Sequence, residues 1–144
     1  TRKESSAASD VYKRQGLLYD RRHFQFTETT LRWENLIDLP LGLLSAGMHF
    51  RQSIDHCFRS RGLTPLPKLE TDAVHQLLQA VSAGLCCSIM PLRNGLAEFT
   101  NELVLTPIED AHTLAPLGLI MRRGAPRSPL AEACFSEART LISA

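Results

Sequence analysis

The sequence predicts an α/β fold: a largely parallel sheet with flanking helices. Three observations predict it. Residues 69–91, LETDAVHQLLQAVSAGLCCSIMP, read as a strand end, an amphipathic helix, a tight stop and a second strand. That order is one crossover unit, which needs parallel strands. Residues 40–62 show the same alternation of an apolar strand and a helix. Further strand and helix patterns alternate along the chain without an internal repeat, as in an α/β domain.

Taken in order, residues 1–15, TRKESSAASDVYKRQ, lack apolar periodicity and read as a disordered or non-native tail. Residues 16–19, GLLY, are a first strand, and residues 20–32 are polar and irregular. Residues 31–37 form a turn of helix with Trp33 and Leu36 as packing residues. Residues 40–44 are a second strand, and Ser45 follows as an N-cap. Phe50, Ile54, Cys57 and Phe58 recur at i, i+4, i+7 and i+8, a buried helical stripe. Gly62 ends that helix, and Pro65 and Pro67 forbid its continuation. Residues 66–70 are the third strand. Thr71 or Asp72 then caps a helix whose inner face is Val74, Leu77, Leu78 and Val81. Gly84 stops it by turning left-handed. Residues 85–90 are apolar throughout, as in a strand buried on both faces, and Pro91 ends the ladder. A polar connection leads to a short helix near residues 96–99, a strand at 103–108, a turn at 110–113 and a strand at 117–121. Ser128 caps the last helix, Pro129 opens it, and Leu130, Cys134, Ala138 and Leu141 form its inner face.

At 144 residues, 44 % hydrophobic and 22 % charged, the chain has the size and composition of one soluble globular domain. A formal net charge of +1 gives no strong field for nucleic acid or an anionic membrane. No apolar run is long enough to cross a membrane. Cys86 and Cys87 are adjacent on a strand, point to opposite faces and cannot chelate one metal together. With Cys57 and Cys134 they read as thiols in a reducing compartment. His49 and His56 stand about 10 Å apart along their helix, too far for one ion. There is no G-x-S-x-G elbow, phosphate-binding loop or G-x-G-x-x-G turn, so no cofactor, metal or catalytic set is expected.

The order of these pieces resembles the effector domain of LysR-type transcriptional regulators. The residues that carry the resemblance are the L-E-T-D…V-S-A-G…S-I-M-P series of residues 69–91, with flanks on both sides. Upstream lies LRWENLIDLPLGLLSAGMHFRQSIDHCFRSRGLTP; downstream lies LAPLGLIMRRGAPRSPLAEACFSEARTLI. The resemblance implies a fold like that of type II periplasmic binding proteins, with residues 16–144 a partial effector-binding domain. Residues 38–91 would form the core of a central subdomain, and residues 92–144 would return to an outer one. The strand at 16–19 would lie in the outer subdomain, just before the chain crosses. The DNA-binding winged helix-turn-helix would be absent from this chain.

Ligands of parallel α/β sheets sit at the carboxyl ends of the strands. Two such junctions are legible: Ser45, Ala46, Gly47 and Met48, and Glu70, Thr71 and Asp72. Helix starts there offer open N–H groups and partial positive charge, which suits a carboxylate or another small anion. On the residues alone, Ser45 and Thr71 read first as helix caps; the resemblance makes both junctions effector-contacting loops. Arg51 could reach the same mouth as a bidentate anion partner, or be a solvated surface arginine. Ser88, Ile89 and Met90 would be a third contact near the hinge, or plain core strand. The function implied is a small-molecule effector-sensing and oligomerisation domain, cytoplasmic and non-enzymatic. It would be a homodimer or homotetramer that reaches DNA only through its missing domain. The helix over residues 47–61 would supply a pairing surface if Met48 and Phe50 left an exposed apolar remainder on it. The alternative is a solute-binding protein of the same fold used in transport, which would normally carry an export signal.

Overall fold

A computed structural model of the chain describes residues 14–92, 101–112 and 128–143. The helix expected near 96–99 and the strand expected at 117–121 lie outside these residues. The chain forms two compact units, one of residues 12–114 and one of residues 1–11 with 115–144.

The larger unit holds a five-stranded sheet of strands β1 (Arg14–Asp20), β2 (Leu41–Leu44), β3 (Leu69–Thr71), β4 (Cys87–Pro91) and β5 (Leu103–His112). Their order is β3-β2-β4-β1-β5. β2 is parallel to β3 on one side and to β4 on the other, so β3 and β4 are joined by a crossover, as expected. The sheet as a whole is mixed, because β1 runs antiparallel to both β4 and β5.

Two expectations about β1 are corrected. It is not part of an outer subdomain: Leu17 pairs with Ile89 and Leu18 with Ser88 inside this sheet. It also begins at Arg14, so Gln15 is a buried strand residue, not tail. The reason is that Leu17, Leu18 and Tyr19 are apolar in succession, and only a strand covered on both faces buries all three.

β5 differs from the expected strand and turn in the same way. It continues to His112, with a register shift between Gly16↔Pro107 and Arg14↔His112. Pro107 cannot donate to the ladder. Its carbonyl accepts from Leu31 N at 2.8 Å, and Leu31 O accepts from Glu109 N at 2.8 Å. The strand bulges where Leu31 inserts, and Asp110 there takes a positive φ of 50°. The compact unit therefore extends beyond residues 38–91 at both ends.

The sheet is covered on both faces. On one, Leu17, Leu41, Leu43, Cys87 and Ile89 pack with Trp33, Leu36, Ile54 and Phe58. Trp33 and Leu36 belong to α1 (Trp33–Leu36), and Ile54 and Phe58 to α2 (His49–Arg59). On the other face Leu18, Leu44, Cys86 and Met90 pack with Leu77, Ala80 and Val81 of α3 (Val74–Ser82). Cys86 and Cys87 thus face opposite ways, as strand alternation requires. α2 and α3 end as expected, at Gly62 and Gly84, each with φ +70°. Leu63 N donates to Phe58 O and Leu85 N to Ala80 O, both at 3.0 Å, which closes the last turns.

Smaller differences follow from where the core ends. Val74, expected inside, is 42 % exposed on the first turn of α3, and Ala80 is buried with Leu77 and Val81 instead. β3 and β4 are shorter than the apolar runs that suggested them, which leaves Leu66 and Leu85 exposed. Met48 and Phe50 pack half-buried against the core and do not leave an apolar remainder on α2.

In the other unit, α4 (Pro129–Ser143) starts as expected: Ser128 Oγ accepts from Ala131 N at 3.1 Å, with Pro129 first in the helix. Of its expected inner face, Leu130 is 74 % exposed, Cys134 is exposed and Ala138 is half-buried.

Candidate functional site

The carboxyl ends of β2 and β3 lie side by side, with Leu43 opposite Glu70 and Leu44 opposite Thr71. Ser45 N donates to Thr71 O at 2.9 Å and carries the pairing one residue further. Ser45 O then accepts from Met48 N at 2.9 Å, so residues 45–48 form a turn. This corrects the expected role of Ser45: it opens the turn and does not cap α2. The cap position is Met48, in extended backbone and with no side-chain cap bond, and no acidic residue stands in the first turn of α2. Among the described residues, the early N–H groups of that helix therefore have no side-chain cap. Ala46 and Gly47 are exposed, and a Cβ built on Gly47 would meet nothing within 4 Å.

The expected cap of α3 is also corrected: the cap position is Ala73, with no side-chain cap bond, and neither Thr71 nor Asp72 caps the helix; Thr71 instead closes the turn that leads into it. Its Oγ1 accepts from Ala73 N at 3.1 Å and donates to Gln76 Oε1 at 2.8 Å. Both functions of the hydroxyl are thereby used.

Arg51 is neither a solvated surface residue nor an open anion partner. Its side chain is 8 % exposed. Nε donates to Asp55 Oδ1 at 2.8 Å; Nη1 donates to Leu44 O at 2.8 Å and to Glu70 Oε2. Burial works against its charge, but the bonds to Asp55 and Glu70 outweigh that and raise its pKa. Arg51 braces α2 against the ends of β2 and β3.

The sequence-predicted residues thus fall into two groups. Ser45, Ala46, Gly47, Met48, Arg51, Glu70 and Thr71 come together at one end of the sheet. Ser88, Ile89 and Met90 do not join them at the surface; all three are buried within β4. Ile89 packs into one core cluster and Met90 into the other. Sequence reasoning missed Gln15, which is 0 % exposed, with neither Oε1 nor Nε2 bonded among the described residues. A glutamine at the end of a polar stretch gives no signal of burial. Among the described residues, no group of His, Cys, Asp and Glu could hold a metal ion.

Comparison with known proteins agrees with this architecture. The sequence profile of the LysR substrate binding domain matches residues 13–142. HinK, a LysR family transcriptional regulator from Pseudomonas aeruginosa, superposes with a TM-score of 0.70 at 19 % identity, covering 91 % of this chain and 46 % of that one. The effector binding domain of QuiR in complex with shikimate gives 0.65 at 16 % identity, covering 92 % and 62 %. The BenM effector binding domain with its effector benzoate gives 0.61 at 18 % identity, covering 92 % and 60 %. The chain spans less than two thirds of each of these structures, and the likeness to them is one of fold. No curated protein sequence matches it. With nine-tenths of its length inside the profile and its sheet superposing on those regulators, the chain belongs to the LysR substrate-binding domain family.

Proposed function

We propose that the chain is the small-molecule-sensing domain of a LysR-type transcriptional regulator, with its ligand site at the carboxyl ends of β2 and β3. The observation that carries this reading is the family match over residues 13–142. The open turn at Ala46 and Gly47, leading into an α2 start with no side-chain cap and no acidic residue in its first turn, supports the location. Shikimate and benzoate, held by the QuiR and BenM domains, are both small carboxylates. The same chemistry suits uncapped N–H groups at the positive end of a helix. Arg51 acts beneath this mouth, holding Leu44 O and Glu70 in place.

Binding would favour one arrangement of the surrounding protein over another, and that differential affinity is all that can shift the equilibrium. The domain works in a cytoplasmic homo-oligomer, contacts DNA only through a separate domain and catalyses no reaction of its own. Membership of a family of regulators supports each of these points, and no observation favours a transport role.

A thermal-shift screen of benzoate, shikimate and other small carboxylates tests the site. A ligand should raise the melting temperature of the parent by a few degrees and leave Ala46→Glu unmoved, because the added carboxylate repels it. An equal shift in both places the ligand elsewhere; no shift in the parent rejects the carboxylate-sensing reading.

A further inference from the structure

Gln15 stands on the edge row of the sheet at the same end as the proposed mouth. It pairs with Pro91, and β4 lies beside β2 in the register Leu41↔Cys87 and Gly42↔Ser88. Extended three residues past its last pair, that register would bring Pro91 beside Ser45. With neighbouring strands about 4.8 Å apart, the backbones at Gln15 and Ser45 would then stand about 10 Å apart. A small organic molecule lying along the strand ends spans that distance.

The side chain is fully buried, and neither end of its amide is bonded among the described residues. Buried amides normally find partners, and leaving two polar atoms without them is costly. The other buried polar side chains of β1 obey the rule: Tyr19 bonds Thr106 Oγ1, and Asp20 takes bonds from Arg22. Ser88 Oγ is the remaining unbonded atom, but it lies on the opposite face of the sheet, three rows in.

We infer that Gln15 is a ligand contact and that it selects a small hydroxy acid over the corresponding plain acid. This rests on the ligand-sensing role proposed above and names the class of ligand. An amide offers a donor and an acceptor side by side. A bare carboxylate only accepts, so it satisfies Nε2 and sets a second acceptor against Oε1. A hydroxyl next to the carboxylate donates to Oε1 and completes both ends. The match holds whichever way the amide is turned. Because the amide has no contact with water in the unliganded chain, the protein around the strand ends must part to admit the ligand. The bonds gained then favour that parted arrangement.

Isothermal titration of this chain with matched pairs tests the inference: salicylate against benzoate, and 3-hydroxybutyrate against butyrate. In the parent, at least one hydroxy acid should bind about tenfold more tightly than its partner. In Gln15→Met that advantage should vanish, while the plain acid binds within about twofold of the parent. Without ligand, Gln15→Met should melt higher than the parent, since it no longer buries an unpaired amide. Equal preference for the hydroxy acid in parent and variant overturns the inference and leaves the sensing role standing. A lower melting temperature for unliganded Gln15→Met also overturns it, because the amide then has a partner within the protein. Failure of every acid to bind the parent rejects both the inference and the proposed carboxylate site.

Discussion

Arg51 and Glu70 are 19 positions apart in sequence and in direct contact in the fold, guanidinium against carboxylate. The same Nη1 also holds the carbonyl of Leu44, so one side chain ties α2 to the ends of two strands. The partners are unequal, with Arg51 8 % and Glu70 47 % exposed. Arg51→Met should therefore cost about 2–3 kcal/mol, because it strips a charged donor from the Leu44 carbonyl and from two carboxylates. Glu70→Gln should cost less than about 1 kcal/mol, since Glu70 is half in water. Urea unfolding midpoints of the two variants check the order.

Asp20 carries the clearest pH signature. The side-chain bond from Arg22 holds its carboxyl down to about 2, against the opposing effect of burial. An unfolded aspartate titrates near 3.9, so the folded state binds this proton less readily than the unfolded chain. Its contribution to stability is complete above about pH 4 and is lost as pH falls from there towards 2. Asp20→Asn should flatten that part of the curve of stability against pH, measured by urea unfolding at successive pH values. An unchanged slope there would rule out Asp20 as its source.

Gly84 and Gly62 share a φ of +70° but not their surroundings. The ring of His23 occupies the place a Cβ on Gly84 would take, whereas Gly62 faces open space. Gly62→Ala should cost about 1 kcal/mol from the left-handed backbone alone. Gly84→Ala should cost at least about twice that, and His23→Ala in its background should recover part of the difference. A double-mutant cycle by thermal melting measures the coupling.

The four cysteines should separate cleanly in a thiol-reagent assay. Cys134 is exposed, and Cys57, Cys86 and Cys87 are buried. Burial raises the pKa of all three buried thiols, and pushes that of Cys87 up to about 12. At pH 8 the folded chain should show one fast-reacting thiol, lost in Cys134→Ser, and the other three should react only on unfolding. Fast labelling of Cys87 in the native state would contradict its place in the sheet.

The elements legible in the sequence were those set by local chemistry. Gly62 and Gly84 mark helix ends because a left-handed residue is needed there, and few side chains allow it. The opposed faces of Cys86 and Cys87 follow from strand alternation alone. Thr71 was legible as a residue of the helix approach, though its hydroxyl serves the N–H of Ala73 in a turn and does not cap α3. What escaped depends on distant partners. GLLY reads as a strand, but nothing in it says which strands flank it. Arg51 looks like any helix-surface arginine until Glu70 and Leu44 O are brought to it. Ser45 resembles a cap because its type suits one, yet its backbone is spent on Thr71 and on the turn to Met48. Gln15 is buried by strands on both sides, a circumstance its polar neighbours conceal.

The insertion of Leu31 beside β5 bears on self-association. A terminal strand with free peptide groups is a template on which another chain can grow. Leu31 occupies the carbonyl of Pro107 and the N–H of Glu109, and Pro107 itself has no N–H to offer. An intruding strand meets a ladder already filled at this point and interrupted by a bulge. At the opposite margin, β3 offers only the three residues Leu69–Thr71. Both borders of the sheet are thus poor seeds for uncontrolled polymerisation, one by occupation and the other by brevity.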